Sequence, residues 1–226
     1  MNIVGFGDSF ITGVGDNNTY LGILKNYFNA QVITKGIPGT GPWEAFFQFK
    51  KYTGPMDVAI FAWSEPHRLY HSRLKPVDWH NINRETPGYN DEVKMAAEKY
   101  YQFIYDQEKA EHEAEALYHW FDEYSKRFNV KFIHLWSFAK NPEAVPPEEF
   151  YNQHPGGISY HHRFNNGVEI RPALMKFSVE EEWPGMGNIR QETRPHHMGP
   201  HSHHKLSKLI IDAIENYEPG RLIECY

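Results

Sequence analysis

The sequence predicts an α/β fold, a three-layer α/β/α sandwich with a central parallel sheet. Three observations lead there. Short apolar runs are each followed by a turn and then by helical periodicity, so strands alternate with helices. One run, Asp57 to Trp63, is apolar almost throughout, as a strand covered on both faces must be. The chain then closes on a helix, Pro200 to Tyr217, that carries Leu206, Leu209, Ile210, Ala213, Ile214 and Tyr217 on one face. Parallel strands need right-handed crossovers, and these place helices against the sheet.

The elements follow in order. Asn2 to Phe6 reads as a strand that ends in Gly5-Phe6-Gly7-Asp8-Ser9, and Tyr20, Leu21, Leu24, Tyr27 and Phe28 then recur at helical spacing. Gln31 to Thr34 is a second strand, closed by Gly36-Ile37-Pro38-Gly39-Thr40-Gly41-Pro42 before a helix from Trp43 to Lys50. Asp57 to Trp63 is the third strand. From Leu69 to Asn90 the chain is polar and irregular. Asp91 to Phe128 is helical, with Val93, Ala97, Tyr100 and Ile104 on one stripe and Leu117, Phe121, Tyr124 and Phe128 on another. The charged stretch between the stripes leaves one long helix and two shorter ones equally open. Val130 to Trp136 is the fourth strand. Phe138 to Gln191 is rich in Pro and Gly, with Ala173 to Phe177 as a candidate last strand. Such long irregular stretches in a compact domain are usually functional.

Composition narrows the class. At 226 residues the chain is expected to form one domain, 1–226, with excursions at 69–90 and 138–191. It is 40% hydrophobic, 15% aromatic and 23% charged, which can fill a core and excludes disorder and collagen. A net charge of -6 without a Lys/Arg block argues against nucleic acid as a partner, since phosphate binding needs clustered cations. The single cysteine, Cys225, allows no internal disulfide and no cysteine metal cage. No apolar window is long enough for a membrane span and no signal-peptide pattern opens the chain, so a cytoplasmic location without membrane contact is the default expectation. Nothing in the sequence speaks to the oligomeric state.

The Gly-rich turn after the first strand has two chemical readings. A dinucleotide fingerprint would need a glycine where Phe10 stands and an acid at the end of the second strand, which instead ends in Thr34-Lys35. The other reading is a serine nucleophile at a strand-to-helix turn, where main-chain amides can stabilise an anion. Ser and Asp are also favoured helix caps, so the turn by itself does not decide.

Its company does. Gly7-Asp8-Ser9-Phe10 near the amino end, Gly36-Ile37-Pro38-Gly39-Thr40 after the second strand, and His197-Met198-Gly199-Pro200-His201-Ser202-His203 at the last helix occur in one order along the chain. Together they resemble the SGNH (GDSL-type) hydrolase family, whose fold is a flavodoxin-like α/β/α sandwich. The resemblance implies a serine esterase or acyl hydrolase acting on a carbohydrate ester or a small ester without a cofactor. It makes Ser9 the nucleophile and His197 the general base, and it puts the amides of Ser9 and Gly39 in the oxyanion hole.

Two positions depart from that pattern. Where the family has Gly-x-Asn-Asp, this chain has Ala62-Trp63-Ser64-Glu65, so Ser64 would stand in as the third oxyanion donor. Where the family has Asp three residues before the histidine, this chain has Arg194, which cannot accept the imidazole proton and disfavours a positive ring. A dyad, or an acid from elsewhere, is then required: Glu192 is the nearest carboxylate in sequence, Glu65 stands at the end of the third strand, and a backbone carbonyl is the other group that could orient the ring, with Asp8 as a further accessory residue. The stretch Trp63-Ser64-Glu65-Pro66-His67-Arg68 is similar to SGNH-like proteins of phage genomes, with Arg68 either anchoring the loop by an ion pair or touching substrate. Arg194 and Ser64 also favour a rival, a catalytically silent module that binds glycan or serves an assembly.

Five of the 14 histidines fall between His196 and His204, which raises zinc as a further possibility. They cannot all converge from one helix, because His203 shares the buried face with Leu206 while His201 and His204 point elsewhere; no metal is therefore assigned. In the family the residue matching His203 packs beneath the catalytic turn.

Overall fold

The computed structural model describes residues 1–12, 17–71, 90–137, 162–171, 174 and 198–224. Six strands form one sheet in the order β2-β1-β3-β4-β5-β6, every neighbouring pair parallel. They are β1 (Asn2–Gly7), β2 (Gln31–Thr34), β3 (Val58–Trp63), β4 (Lys131–Trp136), β5 (Val168–Arg171) and β6 (Leu222–Glu224). The helices are α1 (Tyr20–Tyr27), α2 (Pro42–Lys51), α3 (Asp91–Phe103), α4 (Gln107–Ser125) and α5 (Pro200–Glu215), with one 3₁₀ turn at Ser9–Ile11. This is the expected sandwich.

Side chains on a strand alternate between faces, and the two cores divide accordingly. Ile3, Ile60, Ala62, Ile133, Leu135, Val168 and Ile170 pack on one face with α1 and α5, through Leu21, Leu24, Leu206 and Ile210. Val4, Phe6, Ala59, Phe61, Trp63, Phe132 and Trp136 pack on the other with α2 and α4, through Phe46, Phe49, Leu117 and Phe121. Burying each of these large side chains stabilises the fold by about 1.5–3 kcal/mol. β3 is buried at every position, which explains its unbroken apolar run.

Helix ends carry their own signals. Thr19 caps α1 by accepting from Gly22 N at 3.2 Å, and prolines open α2 and α5. The helical stretch after Asn90 proves to be two helices. Asp106 accepts from Lys109 N at 2.8 Å and starts α4 afresh after α3 has ended at Phe103.

The 138–191 excursion is corrected by the structure, because a central strand, β5, lies within it. Its sequence Val-Glu-Ile-Arg hides the strand. Glu169 is buried, accepting from Trp136 Nε1 at 2.8 Å and from Arg171 Nε at 2.6 Å, so a charged pair interrupts the apolar pattern of a covered strand. Of the expected strand Ala173–Phe177, only Leu174 is among the described residues; it is buried in the α5-side core. A short edge strand, β6, that the sequence does not signal pairs parallel to β5 over only three residues.

A polar network sits inside the α4-side core. His134 is fully buried, stacked on Phe164 at 3.7 Å between ring centroids. Its Nδ1 accepts from Trp63 Nε1 at 3.1 Å and its Nε2 faces Asn166 O at 3.5 Å, an arrangement that suits the neutral ring. Asp122 of α4 accepts from Asn165 N, Asn165 Nδ2 and Asn166 N at 2.8, 2.9 and 2.8 Å, and so fixes the approach to β5. Among the described residues, no helix is long and apolar enough to cross a membrane.

Candidate active site

In a parallel sheet with this strand order, the crossovers on either side of β1 run in opposite directions, and the carboxyl ends of β1 and β3 are where such sheets place their sites. The turn after β2 is fastened there. Gly7 O, the last carbonyl of β1, accepts from Ile37 N at 3.0 Å and lies 3.1 Å from Thr40 Oγ1. Between these two anchors Gly39 has φ of 82°, a left-handed conformation that glycine adopts without a Cβ clash.

Asp8 follows β1 and is completely buried. Its Oδ1 accepts from Phe10 N at 3.1 Å, which caps the 3₁₀ turn whose first residue is Ser9. The same oxygen accepts from Ser137 Oγ at 3.1 Å, at the end of β4. Its Oδ2 lies 3.7 Å from Arg68 Nη1. Burial pushes the Asp8 carboxyl above the usual carboxylate range, while Arg68, the Phe10 amide, Ser137 and Ser64 pull the other way. Ser64 Oγ, also buried, is near enough to favour the charged carboxylate, yet it makes no hydrogen bond of good geometry among the described residues.

Arg68 is the centre of a buried charge cluster. Its Nε and Nη2 donate to Glu65 Oε2 at 3.1 and 2.8 Å, and His67 Nε2 stands 3.9 Å from the same oxygen. Tyr101 of α3 donates to His67 O at 2.7 Å and holds the loop from outside. The ion pair that the sequence allows for Arg68 is therefore present, and it extends to Asp8.

A second chain of contacts runs from Ser9 to the start of α5. Tyr20 OH donates to Phe10 O at 2.8 Å, and Tyr20 N donates to His203 Nδ1 at 3.3 Å. The Tyr20 and His203 rings stack at 5.9 Å. Met198, the residue after His197, is buried in the same core cluster as Phe10 and Ile11.

Of the residues singled out in the sequence, Asp8, Ser9, Gly39, Ser64, Glu65 and Arg68 all lie at the carboxyl edge of β1, β2 and β3. Asp8, Glu65 and Arg68 are in direct contact as a cluster. Ser9 is half-buried, and among the described residues no hydrogen bond engages its hydroxyl. His197, Glu192 and Arg194 lie outside the described residues, as does His196. Among the described residues, no three His, Cys, Asp or Glu side chains are grouped to hold a metal ion. Ser137 and Tyr20 carry site contacts that their sequence positions do not announce: Ser137 is marked only as the residue directly after a parallel strand, and nothing local marks Tyr20.

No family model and no curated protein sequence matches the chain. Among solved structures it is similar to an acetyl xylan esterase, AlAXEase, with 12% identity and a TM-score of 0.36 over 99% of this chain and 77% of that one.

Proposed function

We propose that the protein is an SGNH-like serine hydrolase that cleaves a carboxylic ester, an acyl group on a carbohydrate or a small ester. The observation that carries this reading is the hydrogen-bonded path Phe10–Tyr20–His203, because it draws the Ser9 turn and the first turn of α5 to one end of the sheet. His197 stands just ahead of that helix turn in the sequence.

The chemistry assigned to these residues is acyl transfer. A serine hydroxyl is a poor nucleophile until a base removes its proton, and His197 is given that role. Attack of Ser9 Oγ on the ester carbonyl forms a C–O bond and a tetrahedral oxyanion. The amides of Ser9 and Gly39 receive that charge, each such donor being worth about 3–4 kcal/mol, with the Ser64 hydroxyl as a third. Collapse expels the alcohol, which takes the proton from His197. Water, deprotonated by the same imidazole, then releases the acid and restores Ser9. With Arg194 at the position of the family's acid, the ring is oriented either by an accessory carboxylate or by a backbone carbonyl. The phage-type Trp63-Ser64 variation is read as a subgroup feature.

Burial of Ser64 without a hydrogen-bond partner among the described residues favours a second reading, a silent binding module. Turnover separates the two. Wild-type protein should hydrolyse p-nitrophenyl acetate or acetylated sugars, and Ser9→Ala should not. Glycan binding without turnover on any of these esters would establish the module instead.

A further inference from the structure

Arg68 touches both turns to which the oxyanion-binding amides are assigned. Its guanidinium reaches Asp8, whose Oδ1 caps the turn that begins at Ser9. Its backbone presses on the other turn: a Cβ on Gly41 would fall 2.5 Å from Arg68 O and 3.1 Å from Arg68 Cβ. Gly41 follows Gly39 and Thr40, so only a residue without a side chain lets the β3 loop approach this closely. Glu65 takes two donors of the same guanidinium, which fixes the plane of the fork. Arg68 is only 10% exposed and cannot wander into solvent.

We propose that Arg68 is a positioning residue: by holding Asp8 and Glu65 with its side chain and Gly41 with its backbone, it sets the spacing between the Ser9 and Gly39 amides. The assignment rests on the serine hydrolase reading for its consequence in reactivity, but not for the coupling of Arg68 to Asp8. A buried carboxylate needs a partner to stay charged. Among the described residues, the groups that face Asp8 are Arg68, with Glu65 and His67 behind it, Ser64 at the end of β3, Ser137 at the end of β4 and Tyr20 of α1. Arg68 supplies their positive charge. As pH falls through the Asp8 pKa the tie to Arg68 is lost and Ser9 becomes less reactive, in addition to the limb set by protonation of His197; without Arg68 the Asp8 limb moves to higher pH.

The test measures two things across pH, the rate of Ser9 labelling by a fluorophosphonate and the titration of the Asp8 carboxyl carbon by ¹³C NMR. Arg68→Met should slow labelling on the order of 100-fold near neutrality, the scale of one lost oxyanion donor. Its acid limb and its Asp8 titration should both shift upward. Arg68→Lys, which retains a cation without the fork, should recover to within about tenfold of wild type, since a point charge replaces the bidentate grip. In an Asp8→Asn background the Asp8 limb should disappear, leaving the limb set by His197, and Arg68→Met should cost less than about tenfold, because residues acting as a unit are not additive. An acid limb that Arg68→Met still shifts in that background does not come from Asp8 and overturns the assignment. An unmoved Asp8 titration in both Arg68 variants also overturns it, whether or not Ser9 labels. A wild-type chain that never labels, with the Asp8 titration shifted as expected, rejects the hydrolase reading while the coupling stands.

Discussion

Trp63 donates its indole N–H to His134 Nδ1, joining two neighbouring central strands through a histidine that has no access to solvent. Burial lowers the His134 pKa to about 3, with the Asn166 carbonyl opposing. The folded state therefore keeps the ring neutral, whereas the unfolded chain takes up a proton near 6.5. Stability from this group is complete above the unfolded value and is lost as pH falls from 6.5 toward about 3. The loss by pH 5 is about 2 kcal/mol for this one group. His162, lowered to about 4 mainly by burial and then by His119, acts in the same direction. Urea unfolding at pH 8 and pH 5 should show wild type losing about 2 kcal/mol more than His134→Gln, by the same linkage. Equal losses would contradict the neutral buried ring.

Asp122 is the second point to probe. Its two oxygens serve three donors in the segment that leads into β5. Asp122→Ala should lower the unfolding free energy by about 3 kcal/mol, from partners left unsatisfied. Hydrogen exchange should then quicken in Val168–Arg171 before it does in β1 or β3. Uniform loss of protection across the sheet would mean that the segment is held by other contacts.

Tyr20 ties the Ser9 turn to α5. Removing its hydroxyl leaves Phe10 O without that donor in a buried setting, so Tyr20→Phe should cost about 1 kcal/mol in thermal or urea unfolding. The same variant should slow Ser9 labelling by more than that small loss of stability explains, because nearly all of the chain stays folded. Unchanged labelling would show that the turn is held by the Asp8 cap alone.

Much of the architecture was legible in the sequence because parallel, doubly covered strands leave unbroken apolar runs, as β3 does. β5 was hidden for the opposite reason. Its central Glu169 accepts from Trp136 of the neighbouring strand, a long-range partner that no local pattern reveals. The site divides in the same way. Gly39 and the Asp8-Ser9 turn announce themselves through residue type, since a positive φ and a cap each favour a short list of residues. The Asp8–Arg68 contact spans sixty residues of chain by their numbering, and Ser137 reaches Asp8 from a different strand again. Only the order of strands in the sheet brings those three together.

The most direct measurement is the intact mass of the folded protein after exposure to a fluorophosphonate. A single adduct, mapped to Ser9 and absent in Ser9→Ala, is the predicted result. A folded wild-type chain that takes up no adduct, or an adduct that survives in Ser9→Ala, would contradict the assignment of Ser9 as the nucleophile.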